Sequence, residues 1–211
     1  MTQAPARDHR DVHAPQPSTE AAAPGAHFAD PGPLGLAAFA LTTFVLSFTN
    51  TGLFKVEPVV FGLALAYGGI AQLAAGMWEF AKGNTFGATA FTSYGAFWLS
   101  FWYLTGHTDL SGAASAADVS HSVGLFLLGW TIFTAYMTVA AVRTSPILLT
   151  VFAVLTVTFA ALALGDLTIT ASLTKLGGWL GLVTAALAWY ASFAGVAAST
   201  FKRPVVPTGS H

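Results

Sequence analysis

Six apolar runs, each of 18 to 29 residues, constrain this chain more than any other feature. They cover Pro33–Asn50, Pro58–Ala81, Thr85–Thr105, Ser120–Val142, Pro146–Gly165 and Ser172–Thr200. A helix needs about 20 residues to cross ~30 Å of hydrocarbon. Lipid offers no partner for backbone N–H and C=O groups, so a helix is the viable form for such runs, and they lack the alternation of a β-barrel. The separators carry the charges and turn residues: KVEP (Lys55 to Pro58), KGNT (Lys82 to Thr85), GHTDLSGAASAAD (Gly106 to Asp118), RTSP (Arg143 to Pro146) and GDLTITASLTK (Gly165 to Lys175). Pro33, Pro58 and Pro146 fall at first-turn positions, where a missing N–H costs least. Only 8% of the residues are charged and 55% are hydrophobic, with a mean hydropathy of +0.66. A soluble domain usually carries about a quarter charged residues. The expected fold is an all-α integral membrane protein with six transmembrane helices.

Domain organisation follows from the same pattern. Residues 1–29 are rich in Ala, Pro and His without a signal-like apolar core, and read as a disordered cytoplasmic tail. Residues 30–201 form the expected transmembrane domain, and 202–211 a short C-terminal tail. With six spans both termini share a side, which holds Arg7, Arg10, Lys82, Arg143, Lys202 and Arg203. The opposite side has Lys55 and Lys175, so both termini are expected in the cytoplasm, with the protein multi-pass in the plasma (inner) membrane. A net charge of −1 gives no reason to expect nucleic acid, and the absence of cysteine excludes thiolate metal sites and cysteine nucleophiles. No cofactor or metal is expected.

Gly62, Gly69, Gly76 and Gly83 recur every seven residues, and Gly177 and Gly181 form a GxxxG pair extended by Ala185 and Ala188. Small residues on one face let helix backbones approach closely, within a subunit or between subunits. No Asp, Glu, Lys or Arg lies mid-span, and Glu79 is nearest, one turn from a span end. A retinal protein or a charge-relay pump would need such groups at depth. The polar side chains left at depth are neutral, among them Thr42, Thr43, Ser47, Gln72, Thr89, Thr92, Ser93, Tyr94, Thr131, Thr134, Thr156 and Thr158. A membrane Ser or Thr often simply bonds its own i−4 carbonyl. Gln72 has two donors and an acceptor to satisfy. Thr85, Thr89 and Thr92 share one stripe, and Asn84 and Thr85 are also candidate helix caps.

The stretches DPGPLGLAAF (Asp30 to Phe39) and YGGIAQLAAGMWEFAKGNTFGATAFTSYGAFWLS (Tyr67 to Ser100) resemble the acetate uptake transporter family, the bacterial acetate/succinate transporters and their fungal relatives. GGWLGL…AWY in the sixth run and the tail VVPTGSH resemble it too. The resemblance implies six transmembrane helices per subunit, a homo-oligomer (a hexamer) with a path in each subunit, and passage of acetate, in some cases succinate or other short carboxylic acids. It implies a hydrophobic constriction at Phe39, Tyr94 and Leu155, with Ala188 at a position that affects substrate choice. Asp30 stands where the family has Asn, and a carboxylate there would repel an anion at the entrance.

The substrate-pathway candidates are Thr42, Thr43, Gln72, Asn84, Thr85, Thr92, Ser93 and Ala188, with Glu79 as the acid that could handle a proton. Neutral donors bind a carboxylate weakly, which suits a substrate that must also leave. Glu79 has a plainer role available, an ion pair with Lys82 three residues on. An intramembrane serine hydrolase would need a His at depth beside a Ser, and His121 sits only at a span end, so no enzyme is expected. The alternative class is a structural or signalling membrane protein without transport, for which the long N-terminal tail is the support.

Overall fold

A computed structural model describes Met1, residues 28–54, 58–109, Gly112 and residues 115–209. The expectation of a disordered tail over residues 2–27 therefore lies outside the described residues, as do Lys55, Glu57 and His211. The described residues are all-helical: α1 Gly32–Thr51, α2 Pro58–Leu65, a π turn Ala66–Ala71, α3 Gln72–Lys82, α4 Thr85–Gly106, α5 Ala116–Ala141, α6 Pro146–Leu167 and α7 Ala171–Phe201. α2, the π turn and α3 run on as one rod, so six rods result. Five are long and apolar enough to cross a membrane: Gly32–Thr51, Pro58–Lys82, Ala116–Ala141, Pro146–Leu167 and Ala171–Phe201. The sixth, α4, is diluted by its hydroxyls and phenol, and it buries Tyr94, Gly95, Phe97 and Trp98.

The helix ends have local causes. Asn84 caps α4 by accepting from the Gly87 N–H at 3.1 Å, and Ser145 caps α6 ahead of Pro146. Ser115 and Asp118 form a reciprocal capping box, which starts α5 four residues before the Ser120 expected from hydropathy. α1 and α3 end at Gly52 and Gly83, both with φ near +79°, where glycine carries no steric penalty.

The π turn alters the reading of the seven-residue glycine pattern. It adds a residue to one turn and so rotates α3 about the rod axis relative to α2. Gly69 and Gly76 meet α4, where a Cβ would strike Leu99 and Thr92 respectively, but a Cβ on Gly62 would meet nothing within 4 Å. Gly83 serves as the cap instead. In α7, Gly177 faces Leu162 of α6 while Gly178 and Gly181 face Asn50, Thr51 and Ser47 of α1. That GxxxG segment therefore packs inside the subunit, wedging α7 between α1 and α6.

Candidate functional site

Where α1, α4, α6 and α7 meet, packing is incomplete and two cavities remain. The first, about 220 Å³, opens at the end of the bundle where α1, α4 and α6 begin, and reaches down to Phe39, Tyr94, Phe152 and Leu155. The second, about 280 Å³, opens at the opposite end near Asn50, Thr105, Asp166 and Thr174, and reaches down to Phe39, Leu155, Phe97 and Trp98. Phe39 and Leu155 are the two residues that line both. They form a septum between chambers that face opposite ends of the bundle.

The septum is held by aromatic packing. Phe39 and Leu155 are 5% and 3% exposed. The Phe39 ring sits 5.8 Å from that of Tyr94, which also packs on Phe133 at 5.4 Å and on Trp130 and Phe152 at 6.1 Å. The Tyr94 hydroxyl lies 2.9 Å from Thr134 Oγ1, and Thr134 donates to the Trp130 carbonyl at 2.7 Å. A carbonyl only accepts, so the single Thr134 proton is used there and Tyr94 is the donor to Thr134. The phenol is thereby fixed against α5 and turns its apolar ring toward the first cavity.

The two chambers differ in their electrostatics. The first is bordered by three helix N-termini, through Gly32 and Pro33 of α1, Phe86 and Gly87 of α4 and Leu148 of α6. Each N-terminus carries partial positive charge. Lys82 also lines it, paired at 2.8 Å with Asp30, which in turn accepts from the Gly32 N–H at 3.1 Å. The charge of Asp30, expected to repel anions, is thus opposed by an ammonium and a helix start. Glu79 is 2% exposed and accepts from Asn84 Nδ2 at 2.8 Å. The plain Glu79–Lys82 pair is replaced by Lys82–Asp30 and Asn84–Glu79. The second chamber is bordered by the C-terminal ends of α1, α4 and α6, through Asn50, Leu104 with Thr105, and Asp166, where the partial charge is negative.

Of the residues singled out in the sequence, Phe39, Tyr94, Leu155, Gln72, Asn84, Glu79 and Asp30 line the first cavity, and Phe39, Leu155, Thr43, Ser47 and Thr158 the second. Thr42, Thr85, Thr92, Ser93 and Ala188 line neither. Thr42 bonds the Ala38 carbonyl and packs against Gly68 of the π turn, and Thr92 packs against Gly76. Ala188 is fully buried in the apolar cluster that contains Phe39, Tyr94 and Leu155. Sequence reasoning missed the Asp30–Lys82 pair, Thr134 as the anchor of Tyr94, Phe152 and Trp98. These depend on contacts between distant segments that helical spacing does not encode. Among the described residues no group of three or more His, Cys, Asp or Glu could hold a metal ion.

Comparison with known proteins agrees with this architecture. A solved structure described as that of the bacterial acetate channel SatP superposes with a TM-score of 0.79 at 40% identity, covering 86% of this chain and 99% of that one. The succinate-acetate/proton symporter SatP of Escherichia coli (strain K12) is 40% identical over 184 residues, 87% of this chain and 97% of that protein. Accumulation of dyads protein 2 of Saccharomyces cerevisiae is 45% identical over 187 residues, 84% of this chain but only 64% of the longer yeast protein. The family model described as GPR1/FUN34/yaaH matches residues 13–209, and the chain belongs to the GPR1/FUN34/yaaH family.

Proposed function

We propose that this protein carries acetate and other small carboxylates, succinate among them, across a membrane. The path runs through each subunit from one chamber past Phe39, Tyr94 and Leu155 into the other. The observation that carries the reading is the pair of chambers at opposite ends of the bundle, separated by the shared Phe39 and Leu155. The names of the relatives point to the same class of substrate. Six rods spanning the membrane, a hexameric assembly, a plasma-membrane location with both termini cytoplasmic, and a transport unit over residues 30–201 belong to this proposal.

The chemistry follows from the lining. Three helix starts favour carboxylates at the first mouth, where Lys82 offsets the charge of Asp30. Gln72, 1% exposed and with its Oε1 unpartnered, offers a neutral polar contact above the septum. An apolar septum makes a hydrated anion shed water at high cost while accommodating a methyl group. A carboxyl titrates near pH ~4–5, so acidification enriches the neutral acid and uptake should rise as external pH falls.

A proton-coupled form of this reading has one observation in its favour, the buried Glu79 carboxyl on the wall of the first cavity. Labelled-acetate flux in proteoliposomes, with pH varied on each side and internal acidification recorded, tests both forms. Flux above protein-free vesicles supports transport, and its absence refutes it. Proton uptake lost in Glu79→Gln with acetate flux retained assigns the proton to Glu79, whereas unchanged proton uptake removes that role.

A further inference from the structure

Two buried polar atoms in the second chamber have no partner in the protein. Trp98 is 2% exposed and its indole Nε1 is unbonded; Thr43 is 7% exposed and its Oγ1 is unbonded. Both residues line the second cavity, Thr43 from α1 and Trp98 from α4. Buried polar groups normally find a partner, and the threonines of these helices mostly do; Thr92 Oγ1, pressed against Gly76 and lining neither cavity, is the unbonded one outside this chamber. Thr42, Thr131, Thr134, Thr156, Thr158 and Thr184 all donate to the i−4 carbonyl. Thr43 does not use this default, although its neighbour Thr42 does.

We propose that Trp98 and Thr43 form a carboxyl-binding site in the second chamber that takes the protonated acid. An indole N–H is a donor only, and a hydroxyl both donates and accepts. A neutral carboxyl group needs one donor for its C=O and one acceptor for its O–H, which is this pair. An anion would find two donors but a hostile field. The chamber is bordered by three helix C-termini against a single N-terminus, that of α7 at Thr174, and Asp166 is the charged side chain among its lining residues. Lys175 of α7 lies beside Gly52, outside that lining, and Asp118 of α5 is held in its capping box. The first chamber also carries carboxyl groups, Asp30 and Glu79, but Asp30 is paired with Lys82 and Glu79 accepts from Asn84, and its three helix N-termini make it the more anion-tolerant of the two. The two chambers therefore favour different protonation states of one substrate: an acid that crosses the septum from the second chamber gives its proton to solvent at the first mouth, and an anion entering the first takes one from solvent there before it crosses.

This inference rests on the transport reading, and the test separates the two. Labelled-acetate influx is measured in proteoliposomes sorted for the orientation that presents the second chamber outward, with protein-free vesicles subtracted. Above its pKa the neutral fraction of an acid falls about tenfold per pH unit. Half-saturating total acetate in the wild type should therefore rise about tenfold from pH 6 to pH 7. Trp98→Phe, which keeps a ring, and Thr43→Val, close to isosteric, should each raise half-saturation at pH 6 by roughly tenfold, the scale of one lost buried hydrogen bond. Thr43→Ser should restore it. A half-saturation independent of pH in the wild type overturns the choice of the neutral acid, whatever the variants do. Saturable flux with half-saturation unchanged in both Trp98→Phe and Thr43→Val overturns the site while leaving transport intact. No flux above background in the wild type overturns the transport reading itself.

Discussion

Truncating Leu155 probes the septum most sharply. An ordinary buried Leu→Ala change costs ~2–5 kcal/mol, rising with the cavity left behind. Leu155 already borders hollow space on two sides, about 220 Å³ and 280 Å³. It loses fewer contacts than a solid-core leucine, so Leu155→Ala should cost about 2 kcal/mol, the low end of that range. Its effect on passage should be larger. A pocket shaped for one methyl group discriminates a single extra methylene by ~10–200-fold. Removing the side chain beyond Cβ frees room for about three carbons, so the preference for acetate over succinate should fall by at least about tenfold. The assay is labelled-acetate uptake competed by unlabelled succinate in proteoliposomes, with thermal unfolding in detergent checked in parallel. An unchanged preference in a variant that still folds would refute Leu155 as part of the neck.

Individual contacts lead to other outcomes. Tyr94→Phe keeps the ring and loses the hydroxyl bonded to Thr134. It should cost about 1 kcal/mol in unfolding experiments and retain acetate selectivity, while Tyr94→Ala should admit longer acids in the same competition assay. Lys82→Ala leaves Asp30 at the first mouth opposed by the α1 start alone. At 4 Å a unit charge in water is worth ~1 kcal/mol, so acetate entry from that side at pH 7 should drop up to about fivefold. The drop should shrink at high salt and reverse in Asp30→Asn/Lys82→Ala. Gly76→Ala would place a Cβ within 2.5 Å of the Thr92 backbone nitrogen, which side-chain rotation cannot relieve. It should lower stability by about 1–3 kcal/mol, read as a lower melting temperature, and Thr92→Ala should not rescue it.

The rods are legible in the sequence because lipid makes a single demand, an unbroken apolar stretch with its backbone bonds internal. The residues that stop those stretches, Gly52, Asn84, Gly106 and Pro146, mark helix ends within a residue or two of the structure. Hydropathy misplaces the start of α5 because Ser115 and Asp118 look like polar loop, although their spacing is that of a capping box. The π turn leaves no trace in hydropathy, so the glycine pattern promises one continuous face that the chain does not have. Within the site, Phe39, Tyr94 and Leu155 are named through resemblance, and nothing in their spacing announces that they meet. The Asp30–Lys82 pair joins residues 52 apart, and the unbonded Trp98 Nε1 is visible only once its surroundings are known. Hydroxyls such as Thr42 and Thr92 look like pathway residues and serve helix contacts, because a threonine has the same letter whether it faces a chamber or a glycine.

The central claim is that the two chambers belong to one path broken at Phe39 and Leu155. The chain has no cysteine, so single cysteines can report on each chamber. Leu36 lines the first and Asn50 the second, on the same helix on either side of Phe39. Leu36→Cys and Asn50→Cys are reconstituted separately and treated with a membrane-impermeant thiol reagent on one side at a time while acetate flux is recorded. The account predicts that each position reacts from one side only, that the sides are opposite, and that labelling at either stops flux. Flux that persists after complete labelling at both positions, or labelling of both from the same side, would contradict it.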